Sequence, residues 1–531
     1  MINKDSSKKQ RGYEINTYAD VAYRNAVTRP DDEALVYGSE RITFAEFNKR
    51  ANSLIYSLQE MGVRKGDVLG ILSWNCLDYV DVFGAAMKGG FIASPFNPRL
   101  GADELGYLIN YSESRVLFVG PEQIETVETL RMRLPMVKNY IAIESPAKGI
   151  LYHKELLLSH SDDEPNITIK EDDPFIIFYT SGTTGVPRGA LYTHKRKLED
   201  TKLFVQALSI EPGNRELMAI PLFHIGGASY LLAFFYGGGT NIISVQRIFD
   251  PAVTLQTIQD EKITDIHIVP TNLVSMLALT DIERHDLSSL KRIWYAGSPM
   301  PVEVLKTGMD IFGPVFIQAY GQSESGPLVS TLSQSAHQVL DKPPEEQKIL
   351  ASSGQPCPGV QVRILDGKNS DVRPGEVGEI AVKSSSLMFE YWKKPDQTKK
   401  AIKDGWLYTG DMGHFDKDGN IYLVDRKKDM IVTGGENVYP REVEEILYRH
   451  PAVQEAAVIG LPDPYWVEKV HAVIVLKEKV PSDEQEIIDF CKQHLARYKA
   501  PKSVEFVDSL PKNPQGKILK RTLRQERALE N

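Results

Sequence analysis

The chain has 531 residues, which is too many for a single hydrophobic core and predicts several packed units. An apolar fraction of 42%, a charged fraction of 25% and a net charge of -9 are typical of a globular protein. They exclude a general nucleic-acid binder, which would need a basic face. The three cysteines, Cys76, Cys357 and Cys491, are widely spaced and lack metal-ligand spacing, so we expect reduced packing residues in a cytoplasmic protein.

No targeting or membrane segment is predicted. The first residues, MINKDSSKKQRG, are charged and lack the apolar stretch of a secretory signal. Residues 217–239 carry no charge and are long enough to span a bilayer, but they include Pro221, His224 and five glycines. That composition favours a strand, a loop and a helix inside a core.

The order of apolar segments predicts an α/β fold. Strand-like runs at 68–72, 116–119, 176–178, 266–269 and 292–295 alternate with helix-like stretches such as 43–61. Such alternation predicts parallel sheets covered by helices.

The pattern changes twice toward the C-terminus. Short runs at 360–365, 378–383 and 421–424, separated by turn residues, predict antiparallel β structure. After the charged bridge DRKKD (425–429), helices at 440–450 and 484–498 and strands at 456–459 and 472–476 predict a compact α+β unit. That unit has about 100 residues, the usual size of a domain.

The segment FYTSGTTGVPRGA (178–190) predicts a phosphate site. Consecutive backbone N–H groups of a glycine-rich turn form an anion-binding concavity, and Ser and Thr hydroxyls add donors. Arg188 adds a planar cation that suits phosphate oxygens. The spacing G-x-x-x-x-G-K-[ST] of a P-loop is absent, because Pro187 and Ala190 stand where its second glycine would be. The segment therefore predicts a polyphosphate site of another kind.

This segment resembles the phosphate loop of the adenylate-forming acyl-CoA synthetase superfamily, which includes luciferases and peptide-synthetase adenylation domains. Six further motifs of that family follow in the family's order. They are PLFHIGG (221–227), YAGSPMP (295–301), YGQSE (320–324), WLYTGDMG (406–413), DRKKDMIVTGGENVYPREVE (425–444) and LPKNPQGKILKR (510–521).

The resemblance implies a two-step reaction. The family activates a carboxylic acid with ATP and Mg²⁺ to acyl-AMP and pyrophosphate, and then transfers the acyl group to a thiol, here coenzyme A. A carboxylate is repelled by α-phosphate oxygens, so the enzyme must neutralise charge there and align the attacking oxygen. Lys517 matches the family's catalytic lysine, and Glu324 with Thr180 matches the Mg²⁺ site.

The resemblance also implies a nucleotide site. Tyr320 is expected against one adenine face with Gly297-Ser298-Pro299 on the other, Asp411 at the ribose, and Arg426 on the nucleotide. From the residues alone, an ordinary ion pair between Asp411 and Arg426 is the favoured interpretation. The full expected set is Thr180, Ser181, Gly182, Thr183, Thr184, Gly185, Arg188, Gly297, Ser298, Pro299, Tyr320, Gly321, Gln322, Ser323, Asp411 and Arg426.

The domain arrangement follows from the same resemblance. We expect an N-terminal adenylation domain at 1–425, built of two αβ sheets and a small β-barrel-like part. A hinge at 426–430 around Lys428 would join it to a smaller, mobile α+β domain at 431–531. Rotation at the hinge would replace Lys517 by TGGEN, whose Gly434, Gly435 and Glu436 would line the path of the CoA thiol.

The acid is expected to be hydrophobic. No acidic residue lies between Leu217 and Val245, so an α-amino acid would bury an uncompensated ammonium group. His224 matches an aromatic position that lines and gates the acyl pocket, although a core histidine bonded to backbone is the alternative. We expect a fatty, alicyclic or aromatic acid in a pocket of His224, Ala228, Leu231, Thr271, Ala296 and Gly297.

Three positions depart from the family pattern. Arg188 stands where relatives usually have Lys, and Val467 stands where they commonly have Gly. The segment KSSSLMFEYW (383–392) has serines and Glu390 in place of glycines, and we interpret it as a structural variant away from the chemistry.

Other functions stay open at this point. The acyl group could pass to a carrier protein, or the enzyme could be a luciferase-like oxygenase. A non-catalytic relative should have lost Lys517 or Glu324, and both are present. The only partners expected are the small-molecule acid, ATP and CoA, with association into a homodimer left open.

Overall fold

The computed structural model describes residues 14–158, 160–180, 187–298, 300–427, 429–433, 436–478, 480–512 and 518–528. Its helices are α1 (Tyr18–Thr28), α2 (Phe44–Glu60), α3 (Leu77–Gly89), α4 (Ala102–Ser112), α5 (Ile124–Leu130), α6 (His153–Leu158), α7 (His194–Leu208), α8 (Ile225–Gly237), α9 (Pro251–Asp260), α10 (Pro270–Leu277), α11 (Val302–Phe312), α12 (Gln334–His337), α13 (Pro344–Gln347), α14 (Pro395–Ala401), α15 (Pro440–Leu447), α16 (Glu484–His494) and α17 (Lys520–Ala528).

The strands follow one another along most of the chain. They are β1 (Glu33–Tyr37), β2 (Glu40–Thr43), β3 (Val68–Leu72), β4 (Ile92–Phe96), β5 (Ser114–Val119), β6 (Asn139–Ala142), β7 (Leu151–Tyr152), β8 (Pro174–Thr180), β9 (Arg188–Thr193), β10 (Arg215–Met218), β11 (Thr240–Ile243), β12 (Asp265–Ile268), β13 (Arg292–Tyr295), β14 (Phe316–Gln322), β15 (Gly326–Leu332), β16 (Gln355–Pro356), β17 (Gln361–Leu365), β18 (Gly378–Lys383), β19 (Glu390–Tyr391), β20 (Ile402–Lys403), β21 (Trp406–Phe415), β22 (Ile421–Arg426), β23 (Ile431–Thr433), β24 (Glu436–Val438), β25 (Val453–Asp463), β26 (Val467–Leu476) and β27 (Ser503–Phe506).

Two large sheets form the body of the N-terminal part. Within the described residues, one has the order β16-β15-β14-β13-β12-β10-β11-β1-β2 and the other the order β19-β9-β8-β4-β3-β5-β6-β7. Strands β14, β13, β12, β10, β11 and β1 run parallel, as do β8, β4, β3, β5 and β6. The prediction of two helix-covered parallel sheets is therefore confirmed.

Antiparallel structure follows, as the shorter runs predicted. Strands β17, β18, β21 and β20 form a small sheet to which β22 adds, and every pairing in it is antiparallel. A second small sheet, β24-β23-β26-β25 with β27 beside β26, packs with α15, α16 and α17 as the smaller C-terminal α/β domain.

Local chemistry explains several element boundaries. Helix α2 begins after Thr43, whose hydroxyl accepts from the Glu46 amide while the Glu46 carboxylate accepts from the Thr43 amide. This reciprocal cap satisfies two of the amides that a helix start leaves unpaired. The uncharged segment 217–239 is the end of β10, a loop and α8, and none of the described helices is long and apolar enough to cross a membrane. Cys76, Cys357 and Cys491 are buried free thiols.

Candidate active site

The expected acyl-pocket residues share one edge of the larger sheet. His224 follows β10, Thr271 follows β12, and Ala296 and Gly297 follow β13. Because β10, β12 and β13 are parallel neighbours, their carboxyl ends meet at the same edge, where open α/β sheets bind ligands. Ala228 and Leu231 are buried on α8, which starts at this edge.

The start of α8 is held close to the chain before it. A Cβ on Gly227 would lie 2.5 Å from the Pro221 carbonyl oxygen and 2.8 Å from that of Ile220, so only glycine fits. The pKa of His224, which directly precedes the helix, is lowered to about 3 by burial and by the charge of Arg99. The ring of His224 is therefore neutral at neutral pH and lies 4.3 Å from the Phe223 ring centre to centre.

Glu324 lies in a tight turn at the end of β14. The hairpin of β14 and β15 pairs Gln322 with Gly326, and a Cβ on Gly321 would come within 2.4 Å of the Gly326 carbonyl oxygen. Glycine at 321 therefore permits the close approach that projects the three residues 323–325 from the sheet. The Tyr192 hydroxyl donates to the Ser323 carbonyl at 2.8 Å and fixes the turn to the neighbouring sheet.

Three side chains converge on one oxygen of Glu324. Thr180 donates to Oε1 at 3.4 Å, Tyr391 donates to it at 2.9 Å, and Nη2 of Arg188 lies 3.8 Å away. Thr180 and Arg188 flank the predicted phosphate loop, so the structure brings both ends of that loop to Glu324. A carboxylate beside a hydroxyl offers the hard oxygen ligands that Mg²⁺ prefers, so this donor set fits the expected metal.

Tyr391 corrects the interpretation of residues 383–392. The segment was expected to lie away from the chemistry, but β19 pairs with β9 and places Tyr391 opposite Ala190, two residues from Arg188. The guanidinium carbon of Arg188 lies 4.4 Å from the centre of the Tyr391 ring. No periodicity in the sequence signals this contact, because a two-residue strand has none to show.

Asp411 joins three of the expected nucleotide residues. Its Oδ2 accepts from the Tyr320 hydroxyl at 2.7 Å and from the Gln322 amide, while Oδ1 lies 2.6 Å from Nε of Arg426. Asp411 is 6% exposed. Burial of the Tyr320 phenol and the nearby charge of Asp411 both raise the pKa of Tyr320. The ion pair of Asp411 and Arg426 anticipated as an alternative is thus present, within a network that also holds Tyr320.

Tyr320 in β14 and Gly297 just after β13 lie at the same level of two adjacent strands. Tyr295 of β13 is the register partner of Gln318 of β14, and each expected residue comes two positions later. Gly297 has a φ of +87°, a left-handed conformation that favours glycine.

A cleft of about 250 Å³ opens at the same edge. Its wall includes the cations Arg99, Arg247 and Lys512, and Lys512 comes from the C-terminal part of the chain. The guanidinium of Arg99 stacks 4.6 Å above the Trp74 ring, and Arg247 pairs with Glu122 and Glu144. No local sequence pattern signals this cleft, because its wall is built from widely separated segments between Trp74 and Lys512.

Several expected site residues lie outside the described residues. These are Ser181, Gly182, Thr183, Thr184, Gly185, Pro299, Lys428, Gly434, Gly435 and Lys517. Their neighbours are described: Glu436 is exposed in β24 and pairs with Thr433, and Thr433 also pairs with Val467.

A second cluster of ligand-type side chains is accounted for by charge pairing. Asp78, Asp81 and His153 are buried with ligand atoms within 4.8 Å of one another. Arg50 forms a two-point ion pair with Asp81 and lies 3.7 Å from Asp78. The Arg50 guanidinium already offsets the charge of one of the two carboxylates, so we assign the cluster to the core rather than to a metal.

The fold and this edge together define a nucleotide-dependent enzyme that handles phosphate and a metal ion. Sequence profiles agree with that class: the AMP-binding enzyme profile matches residues 22–392, and the AMP-binding enzyme C-terminal domain matches residues 442–517. The chain belongs to the family of AMP-binding enzymes and is an adenylate-forming acid–thiol ligase that uses ATP, Mg²⁺ and CoA.

Individual relatives match over nearly their whole length. A feruloyl-CoA synthase of Amycolatopsis sp. is 36% identical, covering 94% of this chain and 97% of the relative. The fatty acid–[acyl-carrier-protein] ligase ScoC of Streptomyces coeruleorubidus is 32% identical, with 96% of each chain covered. The crystal structure of the anthranilate CoA ligase AuaEII with anthranoyl-AMP superposes with a TM-score of 0.89 at 29% identity, covering 97% of this chain and 98% of that one.

Proposed function

We propose that this enzyme activates a hydrophobic monocarboxylic acid, fatty, alicyclic or aromatic, and transfers the acyl group to CoA. The observation that carries the proposal is the convergence of Thr180 and Arg188 on Glu324, at the end of β14 in the sheet whose edge also carries His224, Ala296 and Gly297. Ala228 and Leu231 are buried and apolar, and no carboxylate between Leu217 and Val245 could hold an ammonium group.

In the first half-reaction a carboxylate oxygen of the acid attacks the α-phosphorus of ATP and pyrophosphate leaves. Arg188 and Lys517 would offset the negative charges that oppose this approach. Glu324 and Thr180 would hold Mg²⁺, which when bound supplies positive charge to the phosphate oxygens. Asp411 would accept one hydrogen bond from the ribose, since three of about four acceptor positions on its carboxylate are already used.

In the second half-reaction the CoA thiolate attacks the acyl carbonyl and AMP leaves. We propose that the boundaries expected from sequence hold, with 1–425 and 431–531 rotating about residues 426–430 between the two steps. Gly434, Gly435 and Glu436 would then line the thiol path.

The names of the relatives support this substrate class. Feruloyl-CoA synthase and anthranilate CoA ligase are named for aromatic acids, and ScoC for a fatty acid. Transfer to a carrier protein, for which ScoC is named, is not favoured because most of the similar relatives are named as CoA ligases. Buried free cysteines suit a reducing compartment, so we propose a cytoplasmic enzyme, and association into a homodimer stays a prediction.

A panel of acids tests the proposal directly. Ferulate, anthranilate, octanoate and cyclohexanecarboxylate are compared by pyrophosphate release with ATP, with and without CoA. 3-Phenylpropionate and phenylalanine form a matched pair that differs by one ammonium group, and only the first should react. Preference for phenylalanine would contradict the acyl-region argument, and pyrophosphate release without any acyl-CoA product would contradict CoA as acceptor.

The Lys517→Ala variant separates the half-reactions. We expect acid-dependent pyrophosphate exchange to fall at least about a hundredfold, because general electrostatic stabilisation of this kind contributes 10²–10³ in rate. Acyl transfer from supplied acyl-AMP to CoA should persist. Equal loss of both half-reactions would contradict the role assigned to Lys517.

A further inference from the structure

The two-residue strand β19 links the turn that holds Glu324 to Arg188 at the end of the phosphate loop. Strand β19 pairs with β9 through Glu390 with Leu191 and Tyr391 with Ala190. The strand is clamped on both sides: the Trp392 amide donates to the Gly189 carbonyl at 2.7 Å, and the Tyr391 amide donates to the Thr398 hydroxyl at 2.9 Å. Tyr391 is 2% exposed, so its position is fixed by packing as well as by hydrogen bonds.

The same segment also binds the backbone of the turn. The Met388 amide donates to the Glu324 carbonyl oxygen at 2.9 Å, and the Tyr391 hydroxyl donates to Oε1 of the same residue at 2.9 Å. Glu324 is therefore restrained at its main chain and at its carboxylate by residues three positions apart.

The contacts on Glu324 are directional. Thr180, Tyr391 and Arg188 all approach Oε1, and none of the residues that the structure describes forms a hydrogen bond to Oε2. Arg188 is aligned by the face of the Tyr391 ring, 4.4 Å from its guanidinium carbon. A guanidinium on an aromatic face gains cation–π attraction and keeps its edge N–H groups for oxygen ligands.

We propose that Tyr391 is a positioning residue for acyl-AMP formation. Its hydroxyl fixes Oε1 of Glu324 so that Oε2 faces the metal and nucleotide, and its ring holds Arg188 for the phosphate oxygens. The proposal rests on the roles proposed above for Glu324 and Arg188. It assigns a function to the segment in which this chain departs from its family's glycine-rich pattern.

The Tyr391→Phe variant removes the hydroxyl and keeps the ring. We expect the Mg²⁺ concentration for half-maximal pyrophosphate release to rise about tenfold, since a hydrogen bond to a charged group is lost. The KM for the acid should not change, because the acyl region is separate. A second variant, Tyr391→Leu, also removes the ring and should raise the KM for ATP beyond that of Tyr391→Phe.

Tyr422→Phe is the matched control, because Tyr422 also bonds a carboxylate, that of Asp416, away from Glu324. Its Mg²⁺ dependence should equal that of the unaltered enzyme. Glu324→Gln and the double variant with Tyr391→Phe complete the design. If Tyr391 acts through Glu324, the Tyr391→Phe change should add little to the Glu324→Gln defect.

Each outcome separates this proposal from the assignment on which it rests. If Glu324→Gln loses activity while Tyr391→Phe keeps its normal Mg²⁺ dependence, the positioning role is overturned and the site stands. If Glu324→Gln itself behaves as the unaltered enzyme, the metal-site assignment fails and Tyr391 loses its role with it. A Tyr391→Phe defect that is fully additive in the double variant also overturns the proposal.

Discussion

The Tyr320 hydroxyl donates a 2.7 Å hydrogen bond to Oδ2 of Asp411, 91 residues further along the chain. The contact joins the motif at the end of β14 to the motif in β21, and Arg426 of β22 closes the network at Oδ1. The aromatic side chain expected on adenine and the carboxylate expected at ribose are therefore held in fixed relation. This relation makes the nucleotide assignment testable with two variants.

Asp411→Asn should raise the KM for ATP at least about tenfold, because a charge-assisted hydrogen bond is worth 1.5–3 kcal/mol. It should also lower the midpoint of thermal unfolding, because the Arg426 guanidinium loses its counter-ion. Tyr320→Phe keeps the ring and should raise the KM for ATP only about threefold, as for a neutral hydrogen bond. If Asp411→Asn lowers the unfolding midpoint but leaves the KM for ATP unchanged, Asp411 and Arg426 form a structural ion pair with no role in nucleotide binding.

Much of the fold was predictable because its signals are local. The apolar runs at 68–72, 292–295 and 378–383 are the strands β3, β13 and β18 with the bounds expected, and Thr43 caps α2 through its own side chain. The shared sheet edge also follows from parallel strand order. What sequence reasoning missed is long-range: Tyr391 reaches Glu324 only because β19 pairs with a strand 200 residues earlier, a pairing that no period encodes.

Val467 has a φ of +71°, a left-handed conformation that a β-branched residue rarely adopts. Position 467, where relatives commonly have Gly, therefore keeps a backbone conformation typical of glycine although the residue is valine. Because Val467 is 67% exposed, its side chain gains little from burial that could offset the strain. Val467→Gly should stabilise the C-terminal part by about 1 kcal/mol. That is the lower end of the free-energy cost of a left-handed backbone conformation in a residue with a Cβ.

The measurement for Val467→Gly is the denaturation midpoint followed by a probe in the C-terminal part, such as Trp466 fluorescence. Val432→Gly is its control, because Val432 lies in β23 of the same sheet in an ordinary strand conformation. That change should destabilise, since glycine in a strand loses more conformational freedom on folding. If both variants lower the denaturation midpoint, the left-handed backbone of Val467 does not destabilise the folded chain and the prediction is wrong.

His267 predicts part of the acid sensitivity of the fold. Burial lowers its pKa to about 3, and its ring packs 5.4 Å from that of Tyr230. The unfolded chain binds a proton at this histidine below its ordinary pKa of about 6.5, while the folded chain does not until about pH 3. Stability is therefore lost as the pH falls through this window, by about 2 kcal/mol at pH 5 for one histidine.

The His267→Leu variant tests this pH dependence. Its denaturation midpoint should fall less between pH 7 and pH 5 than that of the unaltered enzyme, because the substituted side chain takes no proton in either state. His494→Gln serves as control, since His494 is exposed and its replacement should leave the difference between the two pH values unchanged. Equal differences for His267→Leu and the unaltered enzyme would contradict the buried, neutral histidine.

Arg441 holds the C-terminal part of the chain against the N-terminal part. Its guanidinium donates to the Leu423 carbonyl at 2.7 Å and to the Ala351 carbonyl at 3.3 Å, and its amide donates to Asp425. In the same arrangement Lys512, five residues before Lys517, lines the cleft at the strand ends. We propose that this arrangement is the one that serves acyl-AMP formation, in which Lys517 would lie at the reacting phosphate.

Arg441→Ala should therefore slow acyl-AMP formation by up to about thirtyfold while sparing acyl transfer from supplied acyl-AMP, because it removes two hydrogen bonds, each worth about 1 kcal/mol, from one pose only. Single-turnover measurement of each half-reaction gives the two rates separately. Arg449→Ala is the matched control on the same segment, since Arg449 is exposed. Equal slowing of both half-reactions in Arg441→Ala would show that these contacts stabilise the fold rather than one of two alternating poses.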